Sequence, residues 1–401
     1  MHGLYSGGVS KSMTPKIIAE QAPLKGLHLV GTADILNEKW IRLIKEQLVE
    51  IDDGLLQYKN GTRFILQTEV EDNRRVHHIL LIPSFSKVYE LRERFKNKSS
   101  DLDKDGRPKL RLSAEEIAEI STEAECLIGP SHAFTPWTAI FKEYDSISDC
   151  YGDYSDKVYF LELGLSADTN MADKISELHR LTFLSNSDGH SPWPNKLGRE
   201  FNTFMVKEIN FEEIKRAIKR EGGRKCMLNV GFNPLEGKYH KTRCIGCLTF
   251  FEPNDAKRLN WRCPICGKPI KKGVDFRINE LADLPEGKHP EHRPPYVHII
   301  PLSEIIALAT KKANAWSISV QEKWKTFVSA FGSEINVLLN AKIDELEKID
   351  AEIARYIQYF RDDKIKYIPG GAGVYGKLVP PNKELPKLKR FDSIQKKLGD
   401  Y

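Results

Sequence analysis

The sequence predicts an α/β body followed by a compact cysteine-rich unit and a helical C-terminal region. Three observations carry that prediction. Up to about residue 225, short apolar runs alternate with amphipathic stretches, as in Gly26 to Thr32, Trp40 to Val49 and Phe64-Ile65-Leu66. Runs of this length bounded by turn residues read as buried strands, and the stretches between them read as helices. Cys244-Ile245-Gly246-Cys247 and Cys263-Pro264-Ile265-Cys266 stand fifteen residues apart. Beyond residue 272 the apolar spacing turns helical, with Pro294-Pro295 as an early interruption.

The α/β alternation is that of a barrel or an open sheet. A barrel explains best why the chemically active residues follow strand-like runs, since loops at the strand ends gather on one face. The charged segment 94–111, with Asp103-Lys104-Asp105-Gly106-Arg107-Pro108, reads as a surface excursion, either a plain solvated loop or one that closes on a ligand. Phe211 to Lys219 reads as a basic helix stopped by Gly222-Gly223, and Asn233 to Gly237 as a boundary between units. Ile305 to Lys312 and Ser319 to Leu339 carry helical periodicity. Ile343, Leu346, Ile349, Ile353, Ile357 and Phe360 form one apolar stripe, expected on a single long helix facing a core. Gly370-Gly371-Ala372-Gly373 would let a backbone come close to a phosphate, but it lacks the spacing of a phosphate-binding loop.

A chain of 401 residues has room for two or three domains and a well-buried core. With 40% hydrophobic and 29% charged residues it reads as a soluble globular protein. No run approaches the length of a membrane span, and Met1 to Gly8 lacks the features of a signal peptide, so a cytoplasmic location without membrane partners is expected. The net charge of +5 is modest. Its distribution is not: from Glu236 to Lys272 nine lysines and arginines face three carboxylates, an electrostatic footprint for phosphate backbones or a solvated basic surface.

Two constellations carry chemistry. Each Cys-x-x-Cys aims two thiolates at one centre, and Cys244, Cys247, Cys263 and Cys266 together close a tetrahedral zinc site with no position for water, so this Zn2+ is structural. Phe250, Phe251 and Trp261 around it would suit stacking on bases or ordinary packing. Cys126, Cys150 and Cys226 read as small buried hydrophobes. The second set is dispersed: His2, Glu69, the His77-His78 pair, His132, and Asp188 with His190, with Asp34 and Glu162 as second-rank candidates. Carboxylate and imidazole together suit hard or borderline divalent metals, and multi-metal sites chiefly hydrolyse phosphate esters.

These motifs resemble those of the PHP (polymerase and histidinol phosphatase) superfamily. The opening Met1 to Ser6 is similar to the tail of its His-x-His motif, with His2 as the second histidine. Gly31-Thr32-Ala33-Asp34 stands where the superfamily writes Thr-Asp-His, with Ile35 in place of the histidine. Glu69 and His78 match the second motif, His132 the third, and Asp188-Gly189-His190 the closing Asp-x-His. Gly7 stands near where some relatives carry an acidic ligand. Within the superfamily the whole chain resembles the endonuclease Q family, through Val9 to Met13, Pro130 to Thr138, Glu162 to Asp168, Ser185 to Pro192, the four cysteines and Arg293 to Tyr296.

The resemblance implies a distorted seven-stranded β/α barrel over 1–232, a four-cysteine zinc ribbon over 236–272, and a helical DNA-binding region over 273–401. Relatives have another strand and histidine before the position of Met1, so the first strand is expected to be truncated here. The implied activity is hydrolysis of the DNA backbone 5′ to deaminated bases (hypoxanthine, uracil, xanthine) and at abasic sites. Asp188, His190 and Glu69 would be catalytic, and His2, Glu69, His78, His132, Asp188 and His190 would ligate barrel metals (Zn2+, Mg2+ or Mn2+). Double- or single-stranded DNA is the implied partner, with a replication clamp as a further one. Two rivals are a phosphoesterase acting on small molecules with the same metals, and a DNA-binding protein whose barrel is degenerate.

Overall fold

Six strands form the central sheet: β1 (Leu29–Gly31), β2 (Val49–Asp52), β3 (Leu55–Gln57), β4 (Arg63–Glu71), β5 (His77–Ile82) and β6 (Leu127–Pro130). The structure, a computed structural model, describes residues 1–391, so residues 392–401 of the expected C-terminal region lie outside the described residues. β4 is the spine of the sheet. Its first half pairs with β1 on one side and β3 on the other, and its second half pairs with β5. β7 (Phe160–Glu162) and β8 (Thr182–Leu184) form a parallel pair, joined to β6 through a parallel bridge between Ile128 and Val158.

Antiparallel pairing of β5 with both β4 and β6 leaves β1, β4, β6, β7 and β8 running the same way. Their C-terminal ends therefore collect at one rim. Among the described residues the ladder divides into these two units and is not one seven-stranded ring, so the fold is stated as mixed α/β. β4, β5 and β6 are almost wholly buried, as segments covered on both faces must be, whereas the edge strand β2 is exposed throughout.

Helices cover the outer face, and local sequence explains their starts. Thr14 accepts from Ile17 N ahead of Pro15–Lys25, and Asn37 accepts from Trp40 N ahead of Glu38–Gln47. Ser113 and Glu116 form a reciprocal capping box ahead of Ala114–Glu123. Trp40 is fully buried and donates its indole N–H to Thr32 O at 2.8 Å. Truncating it to alanine would cost about 3–5 kcal/mol in lost burial and cavity.

β9 (Phe201–Met205), β10 (Lys225–Gly231) and β13 (Tyr296–His298) form a second sheet. Between them the short pair β11 (Arg243–Cys244) and β12 (Ile270–Lys271) carries the cysteine unit. The helical region does not begin as a unit at residue 273. Helix Val274–Leu281 sends Val274 and Ile278 into the core of the α/β body, and β13 pairs with β10, before a separate helical core opens near Ile299.

The long helix expected from the stripe Ile343 to Phe360 is two helices, Ile343–Glu347 and Ala351–Arg361. Asp350 breaks it by capping the second helix through Ile353 N, while Leu346, Ile353 and Ile357 stay buried as the stripe requires. The glycine-rich turn serves chain packing rather than an anion: a side chain at Gly370 would strike the carbonyl of Gly237. Among the described residues no helix is long and apolar enough to cross a membrane.

Candidate metal centre

Two triads of ligand-type side chains meet at the rim where the parallel strands end. In one, His2, Asp188 and His190 bring donor atoms within 4.8 Å of one another; in the other, Glu69, His77 and His132 do the same. The triads adjoin. His2 Nε2 lies 3.7 Å from Glu69 Oε1 and 3.8 Å from Asp188 Oδ1.

Each member is placed by its own element. Glu69 lies in β4 and His77 opens β5; His132 follows β6, and Asp188 and His190 follow β8. His2 is held by a backbone bond from its N–H to Gly189 O at 3.1 Å. Asp34, Asp188 and His132 have φ of 23°, 41° and 32°, left-handed backbone that costs about 1–3 kcal/mol at a non-glycine residue and is characteristic of functional sites.

The ligand candidates are oriented by neighbours. Asp34 faces His2 Nδ1 at 3.1 Å and is itself held by Gly3 N at 2.6 Å and the Ser6 hydroxyl at 2.7 Å. Glu71 faces His77 Nε2 at 3.1 Å, leaving Nδ1 toward Glu69 at 2.9 Å. The Thr135 hydroxyl lies 3.2 Å from His132 Nδ1, so Nε2 points into the cluster. A carboxylate or hydroxyl behind an imidazole fixes its tautomer and raises its basicity, the arrangement found behind metal-bound histidines. Asp34 is therefore a positioning residue for His2. Glu162 accepts from the Ser131 hydroxyl at 2.8 Å and from His132 N at 3.0 Å, bracing the His132 turn.

The electrostatics match a cluster built around cations. Burial opposes charge on Glu69, but His77 and His2 hold its carboxyl well below the ordinary range. Burial pushes His132 down to about 4, keeping it a neutral donor. Burial, with the charges of Asp188 and Glu69, pushes Glu162 up to about 7. Burial lowers His190 as well, whereas at His2 and His77 the neighbouring carboxylates outweigh burial and raise the imidazoles; carboxylates and imidazoles packed together in this way fit one or more divalent ions.

His78 is the one expected ligand that the structure takes out of the site. It is fully buried on the far side of β5, with Nδ1 2.7 Å from the Tyr151 hydroxyl and Nε2 3.3 Å from Asp72 Oδ2. The reason is strand parity. β4 and β5 pair Glu71 with His77 and Val70 with His78, so Glu69, Glu71 and His77 share one face and His78 shares the other with Val70. Alternation across the hairpin would have found His77. Sequence pattern does not single out Arg107 either; its guanidinium reaches Glu69 Oε1 at 3.2 Å from a sequence distance that no local pattern spans.

The four cysteines form a separate cluster with all sulfurs within 4.8 Å. Cys244 and Cys266 sulfurs are 3.4 Å apart, and those of Cys247 and Cys263 3.6 Å. These gaps far exceed a disulfide bond and lie near the roughly 3.8 Å between sulfurs that about 2.3 Å zinc–sulfur bonds give in a tetrahedron. The donor set fits a structural zinc ion. The nearby rings are not a base platform: Phe251 stacks on Phe391 at 5.1 Å, Trp261 lies 5.9 Å from Phe276, and Phe250 is buried beneath Arg243.

Fold and rim together define an α/β protein with a candidate two-centre metal site and a detached four-cysteine site. A family profile described as the MJ0043 C-terminal domain matches residues 301–364. An uncharacterized protein, MJ0043 of Methanocaldococcus jannaschii, is 51% identical over 254 residues, 62% of this chain, and the match spans only 31% of that protein. The uncharacterized protein YqxK of Bacillus subtilis is 31% identical over 396 residues, 92% of this chain and 94% of that one. The crystal structure of the lesion-specific endonuclease PfuEndoQ from Pyrococcus furiosus superposes with a TM-score of 0.90 at 51% identity, over 95% of this chain and 94% of that one. Endonuclease Q in complex with a 27-mer duplex bearing an abasic lesion at its active site superposes at 0.91, with 51% identity and 95% of each chain covered. The chain belongs to the endonuclease Q family.

Proposed function

We propose that this protein is a metal-dependent DNA endonuclease that hydrolyses the backbone 5′ to deaminated bases, namely hypoxanthine, uracil and xanthine, and at abasic sites. The observation that carries the reading is the convergence of two ligand triads, His2, Asp188, His190 and Glu69, His77, His132, on one rim. Likeness to an endonuclease structure holding an abasic duplex supports DNA as the substrate. The gathering of ligand-type side chains at the rim where the parallel strands end supports assigning the body to the PHP type of barrel.

Divalent ions held by these triads would supply a water ionised near neutral pH and charge to offset the phosphate. The chain's own contribution is placement. Asp34, Glu71 and Thr135 fix the imidazoles of His2, His77 and His132. Ser131 and Glu162 brace the turn that presents His132. Lys196 and Lys238 lie over the Tyr375 ring and Lys271 over the Trp137 ring, cations set on aromatic faces that would suit a phosphate backbone. The four-cysteine ribbon and the helical region would grip the duplex. A base read inside a duplex must be flipped out, at a cost of a few kcal/mol that is lowest for mispaired or damaged positions.

The test is incision of duplexes carrying one deoxyinosine, deoxyuridine or abasic site, beside undamaged duplex and free phosphomonoesters. Cleavage 5′ to the lesion with Mg2+ or Mn2+, abolished by chelator, is expected. Turnover of phosphomonoesters with intact lesion DNA would give the site to a small-molecule phosphoesterase instead.

A further inference from the structure

The charged segment after helix Phe85–Lys96 is more than a surface loop, because one of its side chains enters the cluster of ligand-type residues. Its backbone is strapped to β4 just past the entry point and to the opening segment of the chain just before it. Glu71 N donates to Pro108 O at 3.0 Å, and Leu110 N to Glu71 O at 2.7 Å. Gly106 N donates to Tyr5 O at 3.3 Å, and Arg107 N to Asp105 Oδ1 at 3.0 Å. Gly106 is glycine because a side chain there would strike Asp34 and Ser6. The loop therefore sits on the residues that hold His2, and Arg107 follows it inward.

Arg107 is the one lysine or arginine among the described residues whose side chain pairs with Glu69, at 3.2 Å, and that side chain remains 30% exposed. Burial works against its charge, and Glu69, Asp105 and Asp188 together more than restore it. It thus stands where the fields of both triads overlap, with part of its side chain open to solvent. Glu69 is also a candidate metal ligand, and a carboxylate engaged by a divalent cation has less to offer a guanidinium.

We propose that Arg107 is a catalytic residue that binds a non-bridging oxygen of the scissile phosphate, turning from Glu69 to the phosphodiester when Glu69 serves a bound cation. The proposal rests on the nuclease reading and names a residue that contacts its substrate. A planar fork of N–H donors suits a phosphate better than an ammonium does, so lysine is a poor replacement. The competing role is that Arg107 only neutralises Glu69.

Arg107→Ala and Arg107→Lys are compared with the wild-type full chain, all loaded with Mn2+, in single-turnover incision of an abasic duplex. The alanine variant is expected to lose about 10²–10³ in rate, as when a donor to transition-state charge is removed. Added guanidinium ion should restore part of that loss. Binding of inorganic phosphate to the loaded protein should weaken about tenfold, the worth of one hydrogen bond to a charged group. Metal content and melting temperature should stay at wild-type values. If the alanine variant fails to fold, the lysine variant carries the test, with both the rate and phosphate binding expected to fall. An unchanged rate with altered metal content, or a loss that guanidinium does not rescue and phosphate binding does not share, overturns the proposal. Absence of wild-type incision would count against the nuclease reading, while the phosphate titration would still decide the role of Arg107.

Discussion

The protein holds two clusters of ligand-type side chains built on opposite plans. The four cysteines lie within one short stretch and meet because two knuckles face each other across a tiny sheet. The rim cluster draws on residues from His2 to His190, carried by β4, β5 and the turns after β6 and β8; Glu69 and His77 share one hairpin, and the other members join them only when the body folds. A local cluster can be assembled by its ion, so losing the ion loses the unit. A dispersed cluster is preformed by the core beneath it, so its residues can be exchanged for chemistry without unfolding the chain.

That contrast can be broken at its strongest point first. Asp188→Asn keeps the size of the side chain and removes a charge from the first triad. Incision should fall by more than the roughly ten- to hundredfold that residues behind a metal ligand are worth, with DNA binding and melting temperature little changed. Retained cleavage by this variant would remove Asp188 from the site.

Next comes the ribbon. Cys263→Ser should lower bound zinc by about one ion per chain and destabilise the unit, since a structural zinc site contributes folding energy directly. Metal analysis and thermal melting check this, and DNA binding should weaken more than the incision rate at saturating DNA. A collapse of the rate at saturation, with binding intact, would erase the division of labour between the clusters.

The neighbouring histidines give a finer comparison. His77→Ala should abolish incision in a folded protein. His78→Ala should leave incision per folded molecule intact and lower stability by about 1–3 kcal/mol, because the Tyr151 hydroxyl and Asp72 lose a buried partner. Denaturant melts and active-site-normalised rates distinguish them. The reverse pattern would invert the face assignment of β5.

The smallest expected effect is a pH dependence just behind the rim. Glu200 is buried, accepts from Phe232 N at 2.9 Å, and is pushed by burial up to about 8. A carboxyl raised in the folded state binds a proton there that the unfolded chain has released. Its stabilising contribution is thus present in full below the unfolded value and is lost as pH rises through about 8. Glu200→Gln should flatten the fall in melting temperature between about pH 5 and 8. Parallel pH profiles for the two proteins would refute the assignment.

The two plans also explain what could be read from residues alone. The cluster of four cysteines was legible because its chemistry and its spacing coincide. His2, Glu69, His132, Asp188 and His190 were legible as motifs, but the choice between His77 and His78 needed the register of a hairpin, which parity fixes once Glu71 is paired with His77. Arg107 entered through a loop whose path depends on backbone bonds to β4 and Tyr5, and such contacts leave no periodic trace. In the helical region the apolar stripe gave the buried face correctly, while the break at Asp350 is a local cap competing with a longer helix.

The central claim, that imidazoles and carboxylates distant in the chain surround bound cations at one rim, is tested most directly by anomalous diffraction from crystals grown with Mn2+. Density is expected among His2, Asp188 and His190 and among Glu69, His77 and His132, apart from a zinc signal at the four cysteines. Signal at the cysteines with none at the rim, in crystals of protein that still incises lesion DNA, would contradict it.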